Sequence, residues 1–209
     1  MRFTAILTFF SLLFLTSVSF AQVGKSDILN PNMASENELA GLPGMTSELV
    51  DAIVSTRPFA TNLELDATLG DALTDDQKAA LRAELFLPMD LNSASREELQ
   101  LMPGMTNRWM REFNEYRPYE DLAEFRREMS KYTDSEGVAE LEQYVFVPMD
   151  LNSASDEDFM TIPGMTSRWL REFNEYAPYE DMAEFHREMG KYADEDEVGR
   201  LARYVYVGM

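Results

Sequence analysis

The sequence has no cysteine and a single histidine in 209 residues. The missing cysteine excludes disulfides, thiolate metal ligation, a thiol nucleophile and a lipid-modified cysteine, so stability has to come from packing alone. Positive charge is scarce too: 18 Lys and Arg stand against 38 Asp and Glu, and only four of the 18 are lysine, for a net charge of −20. Non-specific affinity for nucleic acid comes mainly from cations that neutralise phosphates, so this composition cannot supply a broad basic face. Any contact with a polyanion has to be local. There is no Gly/Ser-rich stretch to act as a flexible linker. Long apolar runs are confined to the first twenty residues.

There, Arg2 precedes an apolar run from Phe3 to Phe20 broken only by Thr and Ser, and the run ends Ser19-Phe20-Ala21. A short basic start, an apolar centre and small residues before Gln22 predict a secretory signal peptide over 1–21, cleaved after Ala21. The expected location is periplasmic or secreted, with membrane contact only through this segment if it is left uncleaved. Residues 22–27 form a polar lead-in.

The remainder is organised by a turn that occurs three times. Leu42-Pro43-Gly44-Met45-Thr46, Met102-Pro103-Gly104-Met105-Thr106 and Ile162-Pro163-Gly164-Met165-Thr166 are each sixty residues apart. Residues 88–147 and 148–207 match without a gap at roughly two-thirds of positions, whereas 28–87 keeps the turn, its flanks and the spacing. The expected organisation is therefore three units, 28–87, 88–147 and 148–209, with the first the most divergent. Each is net acidic.

Within a unit the residue pattern predicts short helices. Ser95 with Glu98, Ser35 with Glu38 and, approximately, Ser155 with Asp158 form capping boxes that start a first helix, which the Pro-Gly of the turn then ends. Thr106 caps a second helix, along which Met105, Trp109, Phe113 and Tyr116 fall on one apolar stripe; Trp169, Phe173 and Tyr176 repeat it. Phe113, Phe173 and both tryptophans are expected to be core. A third helix carries Ala123, Phe125 and Met129, and a fourth starts near Asp134 or Asp194, with Thr74 and Gln77 as the capping box of the first unit. Each unit closes on a β-branched and aromatic run, Val145-Phe146-Val147 or Val205-Tyr206-Val207, which is compatible with a strand or an extended linker. The fold class is all-α, and the direct joints Pro88-Met89-Asp90 and Pro148-Met149-Asp150 predict a semi-rigid array.

A capped short helix, an apolar-Pro-Gly-apolar turn and a second helix ending near Arg-Pro-Tyr resemble the helix-hairpin-helix module. The lead-in Asn-x-Ala-Ser-x-x-Glu-Leu, seen from Asn92 to Leu99, is most similar to the ComEA-like competence proteins, which are exported and carry helix-hairpin-helix DNA-binding domains. The resemblance covers 28–207 as three copies. It implies two packed helical hairpins per unit and binding of double-stranded DNA by its backbone. The family's turn is Gly-apolar-Gly; here the first Gly is kept as Gly44, Gly104 and Gly164, and the second is Thr46, Thr106 and Thr166.

Charge beside the turn separates the copies. Arg108 and Arg111 share one face of the second helix, as do Arg168 and Arg171, while the first unit has Glu48 and Asp51 there. The candidate DNA-binding residues are therefore Gly104, Met105, Thr106, Arg108 and Arg111, with Gly164, Met165, Thr166, Arg168 and Arg171. A competing reading pairs these arginines with neighbouring carboxylates such as Glu112 and Glu115. His186 takes the slot of Arg126 and is expected to be a solvated helix residue. No Ser/His/Asp, metal or phosphate-loop constellation is present, so neither enzyme activity nor a cofactor or metal is expected. The sequence supports an exported, non-catalytic DNA-backbone binder, or alternatively an envelope protein-interaction scaffold that kept the fold and lost the ligand.

Overall fold

The computed structural model describes residues 27–208. The expected signal peptide over 1–21, residues 22–26 of the lead-in and Met209 lie outside them. The fold is mostly helical. Residues 28–87 contain α1 (Glu36–Ala40), α2 (Ser47–Thr56), α3 (Asn62–Leu69), a 3-10 turn at Gly70–Ala72 and α4 (Asp75–Leu81). Residues 88–147 contain β1 (Met89–Asp90), α5 (Arg96–Leu101), α6 (Asn107–Glu115), α7 (Leu122–Met129), α8 (Ser135–Glu142) and β2 (Val145–Phe146). From 148 onward come β3 (Met149–Asp150), α9 (Asp156–Phe159), α10 (Ser167–Tyr176), α11 (Met182–Met189), α12 (Glu195–Ala202) and β4 (Val205–Tyr206).

Helices of four to ten residues are unstable alone, so their ends and their packing have to hold them. The ends are supplied by sequence: each α-helix starts at a Ser, Thr or Asp whose side-chain oxygen accepts the N–H three residues on. Ser155 with Asp158 makes a complete capping box, as do Ser35 with Glu38, Ser95 with Glu98 and Thr74 with Gln77. The packing comes from apolar positions three and four apart, which bury Phe113, Phe125 and Met129 in one core and Phe173, Phe185 and Met189 in another. Trp169 is buried, and Trp109 lies partly buried against its core.

The closing β-branched runs are strands of two residues. They pair in parallel with the opening of their own unit, Met89 opposite Val145 and Met149 opposite Val205, and a single bridge joins Leu29 to Leu85 in the same way. A second clip lies nearby. The Asn92 side chain donates to the Tyr119 carbonyl at 2.9 Å and accepts the Tyr119 N–H at 2.7 Å, a pairing that Asn32 makes with Phe59 and Asn152 with Tyr179.

The units do not form an extended string. Phe86 packs into the core of residues 88–147, and Phe146 into the core that follows. The Arg203 guanidinium, just past α12, donates to the carbonyl of Ala60 and, at 2.8 Å, to that of Pro88, so the third segment rests on both others. The return of residues near 200 onto residues near 33 and 60 follows from side chains that occur once, not from the repeated pattern. No helix among the described residues is long and apolar enough to cross a membrane.

Candidate nucleic-acid interface

The turn between α5 and α6 is built by one glycine. Gly104 has φ 73°, a left-handed value that L side chains avoid, and Gly44 and Gly164 have 78° and 75°. This bend brings the Met105 N–H onto the Met102 carbonyl at 3.1 Å. Thr106 follows at φ −123°, ordinary extended backbone, so a threonine here is unstrained and its Cβ is no obstacle to the turn. Its hydroxyl accepts the Trp109 N–H at 3.2 Å and so caps α6 as the sequence predicts. The N–H groups of Gly104 and Thr106 have no acceptor among the described residues, and both residues are exposed. Two unpaired donors therefore lie in an exposed turn beside the positive end of α6, whose first turn has no carboxylate.

The structure places Arg108 and Arg111 on the exposed face next to this turn. The Arg108 guanidinium stands 5.5 Å from the Tyr132 ring centroid. Arg111 bonds the buried carboxylate of Glu112 at 2.9 Å while keeping 67% of its own side chain exposed. In the third segment Arg168 lies 5.9 Å from the Trp169 ring and Arg171 repeats the pair with Glu172 at 2.9 Å. The anticipated carboxylate pairing thus involves Arg111 and Arg171 with the adjacent glutamate, and Glu115 takes no part. Met105 and Met165 pack against the cores and contribute backbone rather than side chain to the turn.

Two features divide copies that sequence treated as equal. Arg96, the first residue of α5, reaches the Asn107 Oδ1 at 3.4 Å and adds a third cation at the start of α6. The equivalent Asp156 instead accepts from Asn174 at 2.9 Å. The signal was present in the residue after each capping serine, Glu36, Arg96 and Asp156, and was overlooked because an arginine there looks like any solvated helix residue. The second feature is access. A Cβ on Gly104 would meet nothing within 4 Å, whereas one on Gly164 would lie 2.8 Å from Cε of Met33 and 3.2 Å from the Arg200 guanidinium. Both glycines are exposed, but the space beside the Gly104 Cα is open and that beside the Gly164 Cα is crowded by Met33 and Arg200. Gly104→Ala should accordingly cost the left-handed conformation, about 1–2 kcal/mol, and Gly164→Ala only slightly more, because the atoms it meets are the movable ends of Met33 and Arg200, as compared by urea denaturation.

Behind the arginines lies a polar network. Glu112 is held below the ordinary carboxylate range by the hydrogen bond from Arg111 and then by that from Tyr132. The Tyr132 hydroxyl also meets that of Tyr116 at 2.8 Å, which pushes its own ionisation up. Glu128 and Glu188 are likewise lowered, first by Lys131 and Lys191. Groups depressed on folding contribute stability that is complete above the unfolded value and lost as pH falls through the folded value. The thermal midpoint should therefore drop from about pH 5 to about pH 3, and Glu112→Gln should remove part of that slope. A midpoint that rises over this range would show that relief of the net negative charge dominates.

His186 is exposed and stands at the edge of Phe185, 5.9 Å away, and no group of three or more His, Asp or Glu among the described residues is placed to hold a metal. Comparison with protein-family models, curated proteins and solved structures gives no match. The likeness to helix-hairpin-helix proteins rests on the motif residues themselves.

Proposed function

We propose that the chain is an exported, non-catalytic protein that binds double-stranded DNA by its backbone, through the hairpin of α5 and α6. The observation that carries this reading is the open turn at Gly104, where two unpaired N–H donors are flanked by Arg96, Arg108 and Arg111. Backbone donors at a helix start suit a phosphate oxygen and carry no sequence information. Neither Arg96 nor Arg108 is within ion-pair distance of a carboxylate among the described residues, so both can turn to a phosphate. Export is supported by the leader-like residues 1–21.

Duplex binding across a salt series starting at low ionic strength tests the reading. Affinity should be independent of sequence, and the slope of log K against log salt should be shallow, about −1 to −3, because only a few phosphates are neutralised. No binding at the lowest salt would end the proposal. It would leave an envelope interaction scaffold, a reading favoured by the crowding of the Gly164 turn and the glutamates that draw in Arg111 and Arg171. Export is checked separately by sequencing the mature N-terminus, expected at Gln22.

A further inference from the structure

On the far side of the Gly104 turn is a groove of about 420 Å³, lined among others by Pro103, Trp109, Gly137, Glu140 and Tyr144. The third segment shows what the corresponding space is shaped to hold. There Arg200 of α12 lies almost wholly within the fold, its guanidinium donating to the Pro163 carbonyl and, at 2.7 Å twice, to both oxygens of Glu197. Met33 closes the same place from the first segment, with its methyl against Gly164. Sixty residues earlier the arginine position is Glu140 and the glutamate position is Gly137. Residues 88–147 therefore keep the turn carbonyl and the aromatic wall, lack both the guanidinium and the Glu197 carboxylate that holds it, and carry a carboxylate of their own, Glu140, at the arginine position. The Pro103 carbonyl has no donor among the described residues. In the first segment the need does not arise, because Leu73 lies against Gly44 and Ala80 stands at the arginine position.

The geometry points to this groove as a receptor for an arginine side chain presented by a basic peptide segment of a partner protein, bonded to the Pro103 carbonyl as Arg200 is to that of Pro163 and paired with the Glu140 carboxylate. The chemistry is complementary. Glu140 supplies a fork for two N–H donors, the Pro103 carbonyl accepts a third, and the partly exposed Trp109 indole gives a face for a planar cation. Arginine is favoured over lysine because the template uses several donors of one guanidinium at once, which an ammonium cannot reproduce in that plane. The net charge of −20 attracts such a segment from a distance, while the groove fixes where it docks. This ligand uses the carbonyl side of the turn, and the phosphate reading uses its N–H side, so the two sites are distinguishable.

The test is titration of the purified chain with the acetylated tetrapeptide amide Gly-Arg-Met-Gly, with citrulline and lysine versions as controls, followed by amide and indole NMR shifts. The arginine peptide should shift the Trp109 indole and the amides of Gly104, Gly137 and Leu141 in a saturable way. The citrulline peptide should bind at least tenfold more weakly, and the lysine peptide several-fold more weakly. Glu140→Arg supplies the missing side chain from within and should abolish peptide binding while leaving duplex binding equal or stronger; Glu140→Gln should weaken peptide binding about tenfold. Equal binding by all three peptides, shifts spread over the acidic surface, or an undiminished response in the Glu140→Arg chain would each overturn the proposal. Loss of duplex binding with the peptide response intact would count against the DNA reading alone.

Discussion

Arg96→Glu combined with Arg108→Glu should abolish duplex binding, whereas Arg168→Glu should leave it within about twofold. Each reversal on α5 and α6 removes a cation beside the N–H donors of Gly104 and Thr106 and puts an anion in its place. Two unit charges about 5 Å apart at an effective dielectric near 20 interact by roughly 3 kcal/mol, so losing one cation is worth about a hundredfold, reversing it costs about twice that energy, and two reversals exceed the range of a weak binder. Arg168 stands beside a turn crowded on one side by Met33 and Arg200, with Asp156 where Arg96 would be, and has little phosphate to lose. The first segment begins its second helix with Glu48 in the first turn and should contribute nothing. Fluorescence anisotropy with a labelled duplex at low salt measures all three chains. If Arg168→Glu is as damaging as the double change, the third segment is the contact and the crowded turn has been misjudged. If the double change is harmless, the hairpins are not the contact surface at all.

The local structure was legible because each helix start is written in the few residues that make it. Ser, Thr or Asp followed three residues on by an acidic or amide side chain fixes a cap without help from the rest of the chain, and Pro-Gly fixes the turn. The buried stripe through Phe113 and Phe173 follows from helical spacing for the same reason. The two-residue strands were open in sequence because a run such as Val145-Phe146-Val147 pairs only if its partner, fifty-six residues earlier in the case of Met89 and Val145 in register, is brought alongside. What separates the copies was less legible still. Arg96 matters through its reach to Asn107, and the Gly164 turn is crowded by Met33, a residue more than a hundred positions away. A pattern that repeats every sixty residues predicts equal sites, and contacts between segments that do not repeat make them unequal.

Phe146→Ala should produce the largest loss of stability of any single truncation considered, about 3–5 kcal/mol, and should split unfolding into two phases. Phe146 is fully buried and belongs to two segments at once. Its backbone lies in the ladder of residues 88–147, where its carbonyl accepts the Leu91 N–H at 2.8 Å. Its ring lies in the next core, 4.6 Å from the Tyr204 ring and 5.7 Å from the Arg203 guanidinium. Removing the ring therefore empties a site in the third segment and withdraws the platform on which Arg203 reaches Ala60 and Pro88. In a chain of small units, cooperativity depends on such junction terms, so loss of one lets neighbours unfold separately. A loss of this size is a large part of the 5–15 kcal/mol that holds an ordinary domain together. Tyr206, at the equivalent position, is 47% exposed, and its truncation should stay within about 1 kcal/mol. Urea unfolding followed by both far-ultraviolet circular dichroism and tryptophan fluorescence distinguishes the outcomes. Transitions that no longer coincide in the Phe146→Ala chain would establish the junction, while a single transition with a small shift would place the coupling elsewhere, in Arg203 or in the seat of Met33 on the Gly164 turn.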